Sequence, residues 1–312
     1  MTLVPSIDEL FESRVEFPDP DRGDRLNRLV GLEAQASILR RTLGLMVNPA
    51  RLDAWAKLHH PEATTALDYL RRRPSLVVLA GDVGTGKTEL AETIGDAVAR
   101  QEDIPVTLYP LSLSTRGQGR VGEMTQLLTA SFDHVIEEAR KLQGESGNVR
   151  GAAILLIDEA DALAQSREGA QMHHEDRAGV NAFIRGVDRL TSTGLPAAVI
   201  MCTNRLSALD PAVKRRAASI LTFARPDCDQ RRAVLAAPLE ELGFTPEDIE
   251  AVVTATGSRP ARPYGFTYSD LTQRLLPSIL LDAYPDGPVD ALRAVEIAGS
   301  LVPTAPFQDG ES

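Results

Sequence analysis

Short apolar runs alternate with helical patterns through the first two thirds of the chain. The helical patterns place apolar residues three and four positions apart over 87–100, 122–142 and 177–190. Because each strand is followed by a helix that must cross back over the sheet, this alternation predicts a doubly wound α/β fold with a mostly parallel sheet. We count five predicted strands, at 75–81, 106–113, 153–157, 197–202 and 220–223.

The pattern changes after Pro226, beyond which only helical spacing is found. The predicted helices there are 230–241, 246–254, 268–284 and 289–301. They predict a smaller all-helical domain over 227–301, after a larger α/β domain over 28–226. Residues 1–27 are acidic and contain three prolines, so we interpret them as an arm, and we expect 302–312 to be a flexible tail with little to bury.

Composition narrows the classes of protein that fit this pattern. The chain carries 33 Lys and Arg against 44 Asp and Glu, a formal charge of −11, which disfavours a surface that binds nucleic acid by counterion release. Its two cysteines, Cys202 and Cys228, are too far apart in sequence for a metal knuckle. No window is apolar enough for a signal peptide or a membrane span, so we expect a cytoplasmic protein without a membrane partner.

The segment GDVGTGKT matches the phosphate-loop pattern G-x-x-x-x-G-K-[ST] and lies between a predicted buried strand and a helix. Its three glycines let the backbone curl, so that N–H groups and the helix dipole face phosphate oxygens. Lys87 is expected to reach the β and γ phosphates, and Thr88 to offer a hydroxyl to Mg²⁺. The alternative, a plain glycine turn with an exposed lysine, is disfavoured by the strand and the helix on either side. The predicted nucleotide-contacting set is Gly81, Asp82, Val83, Gly84, Thr85, Gly86, Lys87, Thr88 and Glu89.

Two carboxylates follow another predicted buried strand, in AILLIDEAD at 153–161. Side chains that follow a parallel strand emerge at the carboxyl edge of the sheet, where ligands bind in open α/β folds. We expect Asp158 to hold magnesium and Glu159 to polarise the water that attacks the γ-phosphate, because in-line displacement needs an oriented nucleophile. A strand that simply ends in acidic residues is the alternative.

Two further motifs contain polar residues whose roles the sequence leaves open. Asn204, in VIMCTNR, follows a buried strand, where its amide either hydrogen-bonds the attacking water or caps the next turn. LDPAVKRRA contains the adjacent residues Arg215 and Arg216. An arginine from a neighbouring subunit is the usual device for neutralising a transferring phosphoryl group, whereas adjacent arginines otherwise mark a solvated face.

Taken in this order, GDVGTGKT, LLIDEAD, CTNR and LDPAVKRRA resemble the motifs of the AAA+ ATPases, over about residues 28–284. The resemblance implies an AAA+ large domain with a helical lid, ATP and Mg²⁺ as cofactors, and a homo-oligomer, usually a hexameric ring. It also implies that Asn204 is the first sensor and that Arg216, with Arg215 second, is the arginine finger. The segment LVGLEAQ is similar to the one beside adenine in this family. It implies base contacts from Val30, Gly31 and Leu32.

The chain departs from the family pattern at two places. GRVGEM, at 119–124, is similar to the central-pore loop, but Arg120, which precedes Val121, stands where many relatives have an aromatic residue. That loop either grips an acidic or polar substrate segment or is a plain surface loop. In the second-sensor helix, Leu271 stands near the expected arginine, and Arg274 one turn later is a candidate replacement or a solvent-facing residue.

Within the family, three segments resemble the HORMA-domain-remodelling ATPases of the thyroid-hormone-receptor-interactor type. They are HHEDRAGVNAFIRGVDRL, LDPAVKRRA and RLLPSILLDAY. The bacterial counterparts serve antiphage systems that use cyclic oligonucleotides. The resemblance therefore implies a protein partner that contains a HORMA domain.

Three functions are compatible with these motifs. The first is an ATP-driven ring that remodels a protein partner. The second is a nucleotide-gated switch or adaptor that binds and releases a partner without applying force, and Arg120 in the pore-loop segment favours it. The third, a DNA-dependent ATPase, is disfavoured by the net charge of −11.

Overall fold

Six strands, numbered in chain order, make up the sheet within the part of the chain that the structure describes. The computed structural model describes residues 10–113, 123–144, 148–161, 174–207, 209–260 and 262–306, apart from the side chains of 174–177. The strands are Val15–Phe17 (β1), Leu76–Gly81 (β2), Val106–Ser112 (β3), Ala152–Asp158 (β4), Ala197–Thr203 (β5) and Ala217–Phe223 (β6). Their order in the sheet is β1-β3-β4-β5-β2-β6.

The central strands pair in parallel. β3 pairs with β4, β4 with β5 and β5 with β2 in parallel, whereas β1 pairs with β3 in antiparallel fashion. Nearly every residue of β2, β4 and β5 is buried, as expected for parallel strands that are covered on both faces. The predicted doubly wound α/β class is confirmed.

The helices connect the strands and follow them. The helices are Pro20–Asn27 (α1), Glu33–Val47 (α2), Pro49–His59 (α3), Thr64–Arg71 (α4), Lys87–Glu102 (α5), Glu123–Leu142 (α6), His174–Thr193 (α7), Pro211–Lys214 (α8), Cys228–Glu241 (α9), Pro246–Ala255 (α10), a π-helix at Asp270–Leu275, Leu276–Ala283 (α11) and Ala291–Ser300 (α12). Among the residues described, no helix combines the length and the apolar content that crossing a membrane requires.

The prediction of five strands is wrong by one. All five predicted strands are present, but the edge strand β1 comes from the acidic segment that we interpreted as an arm. β1 has only three residues, too few for an alternating pattern to be recognised. Burial of Phe17 anchors it, and a Cβ placed on Gly95 of α5 would lie 2.2 Å from the Phe17 ring. The next helix, α1, was also missed, although Asp19 caps it and Pro20 occupies its first turn.

Two compact units make up the chain. The first unit comprises Met1–Arg28, Ala34–Ala80 and Thr88–Thr222, and the second comprises Leu29–Glu33, Gly81–Lys87 and Phe223–Ser312. The core of the first unit lies around the apolar sheet residues and α6 and α7. The core of the second lies among its helices and includes Leu235, Leu239, Val252, Phe266, Leu271 and Ile279.

Asp270 connects separate segments of the second unit. Its buried carboxylate accepts hydrogen bonds from the Thr267 N–H (3.0 Å), the Thr304 N–H (3.0 Å), the Thr304 hydroxyl (2.8 Å) and Nη1 of Arg274 (2.8 Å). The Asp270 N–H donates in turn to the Thr267 hydroxyl, which gives a reciprocal cap. Burial alone would raise the pKa of Asp270, but these hydrogen bonds outweigh it and hold the pKa below its ordinary value.

We expect Asp270→Asn to lower the free energy of unfolding by about 2–4 kcal/mol, because the donors of Thr267, Thr304 and Arg274 lose the charged acceptor that is buried among them. Since the pKa of Asp270 is lower in the folded than in the unfolded chain, this stabilisation is complete above the unfolded pKa of about 4 and is lost as the pH falls from there through the lower folded pKa. Urea denaturation at pH 7 and at about pH 3 measures both effects. The exposed carboxylate Asp282, paired with Arg293, supplies the control Asp282→Asn, and equal losses for the two variants at pH 7 would contradict the assignment.

Candidate functional site

The glycine-rich segment leads from the end of β2 into the first turn of α5. Gly84 and Gly86 have φ values of +72° and +91°, in the left-handed region that L side chains rarely adopt. Thr85 is fully buried, and its hydroxyl donates to the carbonyl of Asp82 at 2.7 Å. Val83, by contrast, is exposed on the loop. The segment is therefore a curled loop, fixed from within, at the N-terminus of a helix.

The ammonium group of Lys87 lies inside this loop. The residue is 5% exposed, and its Nζ donates to the carbonyls of Gly81 at 2.9 Å and Asp82 at 2.7 Å. A buried cation on a loop that precedes a helix N-terminus suits phosphate oxygens, which can accept hydrogen bonds from both the ammonium and the backbone N–H groups. The residues of the loop thus fit the phosphates of a nucleotide.

The two residues after Lys87 belong to the first unit and differ in their surroundings. Thr88 is exposed in the first turn of α5, so its hydroxyl is accessible. Glu89 instead forms an ion pair with α1, because Arg25 donates from Nε and Nη2 to its two carboxylate oxygens, each at 2.7 Å. This hydrogen bonding raises the pKa of Arg25 above its ordinary value. The sequence places Glu89 in the predicted nucleotide-contacting set, whereas in the structure its carboxylate forms an ion pair with Arg25.

The two predicted carboxylates lie at the carboxyl end of the central strand β4. Asp158 ends the strand, with Ser112 of β3 opposite it in register. Glu159 has a φ of +51°, which is uncommon for a residue other than glycine and is the kind of strain found at functional sites. Its N–H donates to Oδ1 of Asp158 at 2.8 Å, and its Oε2 accepts from the Ser112 hydroxyl at 3.0 Å. Sequence reasoning missed Ser112, whose only signal was its place at the end of a strand.

Asn204 is bound by Asp161, a third carboxylate of the motif that contains Asp158 and Glu159. Its backbone N–H donates to Oδ1 of Asp161 at 2.7 Å, and its Nδ2 donates to Oδ2 of Asp161 at 3.0 Å. The Thr203 hydroxyl donates to the same Oδ1 at 2.8 Å. With Nδ2 directed at Asp161, the amide oxygen is the end of Asn204 that can accept a hydrogen bond from water. The role of Asp161, the last residue of AILLIDEAD, was not foreseen from the sequence.

The two candidate finger arginines follow α8 and differ in their contacts. Arg215 is exposed. Arg216 forms a bidentate pair with Asp188 of α7, with Nε donating to Oδ1 at 2.6 Å and Nη2 to Oδ2 at 2.9 Å. The hydrogen bond with Asp188 raises the pKa of Arg216 above its ordinary value. Arg216 is therefore charged and already oriented by a carboxylate of its own chain.

Residues 30–32, which the sequence predicts to lie beside the nucleotide base, belong to the second unit. There they lie against helix α9 and Tyr268. Gly31 accepts a hydrogen bond from Nε2 of Gln230 at 3.0 Å. A Cβ placed on Gly31 would lie 2.7 Å from the hydroxyl of Tyr268, and burial raises the pKa of Tyr268 to about 12. Val30 is half-buried and Leu32 is 4% exposed.

The remaining candidates divide into placed and undescribed residues. Leu271 is fully buried in the core of the second unit. Arg274 pairs with Asp270 at 2.8 Å and is otherwise partly exposed, so its cation is bound within the same helix. Arg120 and Val121, the pore-loop candidates, lie outside the described residues.

A parallel sheet with a glycine loop after one buried strand and paired carboxylates after another defines the class of P-loop nucleotide-binding proteins. Comparison with known proteins agrees, since residues 77–225 match the model of the ATPase family associated with various cellular activities (AAA). CD-NTase-associated protein 6 of Escherichia coli (strain MS 115-1) is 62% identical over 309 residues, which cover 99% of each chain. The chain therefore belongs to the AAA family of ATPases.

Two solved structures extend the similarity to three dimensions. A chain in the structure of the E. coli MS115-1 HORMA:CdnC:Trip13 complex is 61% identical, with a TM-score of 0.90, and the match covers 97% of this chain and 99% of that one. Trip13 from Rhizobiales is 55% identical with a TM-score of 0.74, over 95% of this chain and 100% of that chain. The similarity therefore extends well beyond the nucleotide-binding motifs.

Proposed function

We propose that this protein is an ATP hydrolase that forms a ring and uses hydrolysis to remodel a HORMA-domain protein in a bacterial antiphage system. The observation that carries the proposal is the 62% identity to CD-NTase-associated protein 6 over nearly the whole chain. The HORMA partner is supported by the solved HORMA:CdnC:Trip13 complex, which contains a chain 61% identical to this one. The set of motifs in this chain, from GDVGTGKT to LDPAVKRRA, supports hydrolysis.

In this proposal, the backbone N–H groups between Gly81 and Gly86 and the ammonium of Lys87 bind the triphosphate. The hydroxyl of Thr88 and the carboxylate of Asp158 are the residues that would hold Mg²⁺, since hydroxyl and carboxylate oxygens suit this cation. When bound, Mg²⁺ supplies charge neutralisation at the phosphates. Glu159 orients the attacking water and accepts its proton, and the Ser112 hydroxyl holds that carboxylate in place.

Asp161 is the residue that aims Asn204 at the water. We expect Asp161→Asn to lower kcat for ATP hydrolysis by about 10- to 100-fold, because a misaligned amide no longer positions the nucleophile. Affinity for ATP should change little. Steady-state turnover and ATP binding measure the two quantities, and Asp53→Asn, which alters an exposed pair with Arg71, is the matched control.

Non-additivity tests this role of Asp161 further. In an Asn204→Ala background, Asp161→Asn should reduce turnover by no more than about twofold, because the amide that it positions is already gone. A full additional loss in that background would show that Asp161 acts through some other group.

Arg216 is proposed to act on the nucleotide of an adjoining subunit. A guanidinium supplied in trans neutralises charge on the transferring phosphoryl group, which makes hydrolysis depend on assembly. We propose a hexamer, the usual ring of the family that this chain resembles. The bond to Asp188 keeps the guanidinium oriented before it exchanges that carboxylate for phosphate.

Retention of a partner tests the remodelling function. The Glu159→Gln chain should bind ATP without hydrolysing it, so a co-expressed HORMA-domain protein is expected to copurify with it in the presence of ATP. Lys87→Ala, which is expected to lose ATP, is the control and should retain much less. Equal recovery with both variants, or with neither, would count against nucleotide-dependent engagement.

The alternative is a nucleotide-gated switch that releases its partner without force, and Arg120 at the pore-loop position favours it. Arg120→Ala separates the two functions. A remodelling ring should lose conversion of the HORMA partner while basal ATP turnover survives, whereas a switch should be nearly unaffected.

A further inference from the structure

Asp82 places a carboxylate within the loop that is proposed to bind a triphosphate. It is the second residue of the loop, and its backbone carbonyl accepts hydrogen bonds from Nζ of Lys87 and the hydroxyl of Thr85, each at 2.7 Å. A fixed negative charge at this position opposes the approach of phosphates. Its side chain is only 16% exposed, so solvent ions screen the charge less than they would on an open surface.

Arg225 is bound directly to that carboxylate. Its Nε and Nη2 donate to Oδ2 of Asp82 at 2.8 Å and 2.5 Å, and the arginine side chain is 14% exposed. Two charge-assisted hydrogen bonds between largely buried side chains form a strong ion pair. The positive charge of Arg225 thus offsets the negative charge of Asp82 at the loop itself.

The position of the guanidinium is fixed from the other side as well. Nη1 of Arg225 donates to the carbonyl of Gly265 at 2.8 Å, and the guanidinium carbon lies 5.0 Å from the centroid of the Tyr264 ring. A planar guanidinium can make these contacts at once, whereas a lysine ammonium cannot reproduce all of them. All of these residues belong to the second unit.

The other oxygen of Asp82 shapes the loop. Oδ1 accepts a hydrogen bond from the N–H of Val83 at 2.9 Å. An asparagine oxygen can accept the same bond without the charge. The charge of Asp82 and its contribution to loop shape can therefore be separated by substitution.

We propose that Arg225 is a positioning residue of the phosphate loop, which cancels the charge of Asp82 so that the loop accepts the triphosphate of a nucleotide. This inference rests on the proposed ATP binding, which it deepens. It implies that loss of Arg225 weakens nucleotide binding because an uncompensated negative charge then lies beside the phosphates, and not because the structure is generally disturbed.

The test is the affinity of the full chain for a fluorescent ATP analogue, mant-ATP, with Mg²⁺. Arg225→Ala should raise Kd about tenfold or more, since an uncompensated charge then faces a polyanion. Asp82→Asn in the same chain should restore Kd to within about threefold of native, and Arg225→Lys, which keeps the charge, should weaken binding less than Arg225→Ala. Arg232→Ala, which removes a partly exposed arginine paired with Asp229 and Glu250, is the matched control.

Two further readouts distinguish charge from structure. In displacement experiments, the loss caused by Arg225→Ala should be largest for ATP, smaller for ADP and smallest for AMP, because the repulsion grows with the number of phosphates. It should also shrink as salt is raised from about 50 to 500 mM, because ions screen the repulsion. A purely structural role of Arg225 predicts neither trend.

Each outcome decides between the claims. If native chain fails to bind mant-ATP, the proposed function and this inference fall together. If native chain binds and Arg225→Ala binds equally well, or if Asp82→Asn fails to restore a folded Arg225→Ala chain, only the inference is overturned. Should Arg225→Ala not fold, Asp82→Asn alone decides, because the inference predicts binding at least as tight as native and a tenfold loss contradicts it.

Discussion

Replacing Glu159 by glutamine is expected to lower ATP turnover by about 100- to 10,000-fold, because the amide can neither accept the proton of the attacking water nor polarise it. ATP affinity should stay within about threefold of native, since glutamine is close in size and the proposed phosphate contacts lie elsewhere. The Ser112 hydroxyl, which donates to Oε2 at 3.0 Å, can donate equally well to an amide oxygen. The measurements are phosphate release at saturating ATP and equilibrium binding of mant-ATP.

The control for this substitution is Glu137→Gln, which makes the same chemical change at an exposed position on α6. It should leave both turnover and affinity unchanged. Turnover above about a tenth of native in Glu159→Gln would show that another group activates the water, and the roles given to Asp158 and Glu159 would then have to be revised.

Arg216→Ala is expected to lower turnover by about 1,000-fold, a loss typical of removing an arginine finger. Arg215→Ala should lower turnover far less, because Arg215 is exposed and not held in one orientation by an ion pair with any described residue, whereas Arg216 is oriented by its bidentate pair with Asp188. Phosphate release from the assembled protein is the measurement. A larger loss from Arg215→Ala would exchange the assignments of the two residues.

Mixing two inactive variants tests whether Arg216 acts in trans. An Arg216→Ala subunit keeps its own Lys87, and a Lys87→Ala subunit keeps its own Arg216, so a mixed assembly contains sites with both residues intact. Turnover should therefore reappear when the two proteins are mixed. Its continued absence in assemblies shown to contain both variants would place the guanidinium in its own subunit's site.

Much of the fold could be predicted because burial leaves a strong pattern in the sequence. β2, β4 and β5 are covered on both faces, so each is a continuous apolar run. The edge strand β1 could not be recognised in the same way, because three residues carry no period and its pairing with β3 joins distant parts of the chain. Helix α4 was missed as well, because its eight residues are fewer than the about 11–18 over which a helical period can be recognised.

The candidate site divides along similar lines. The positions of the glycine loop and of Asp158 and Glu159, each at the end of a buried strand, could be predicted because they depend on the local order of residues along the chain. The partners Ser112, Asp161 and Asp188 were not, since each meets its target only after strands and helices have packed. A sequence shows which side chains can donate or accept, but not which of many carboxylates lies opposite a given arginine.

The same limit explains the residues whose surroundings differ from the expectation. Glu89 directly follows the loop and carries a charge, yet Arg25 of the missed helix α1 occupies its carboxylate. Arg274 is a candidate second sensor from its place in the sequence, and Asp270 one turn earlier binds its guanidinium at 2.8 Å. In both cases an ion pair with a residue outside the motif sets the position of the side chain.

The most direct test of the central claim is a structure of the Glu159→Gln chain with ATP and Mg²⁺. We expect the phosphates to accept hydrogen bonds from the N–H groups of Gly84 and Gly86, and Nζ of Lys87 to leave the carbonyls of Gly81 and Asp82 for phosphate oxygens. The metal should lie at Thr88 and near Asp158. A nucleotide bound elsewhere, with Lys87 still donating to those two carbonyls at 2.9 Å and 2.7 Å, would contradict the account.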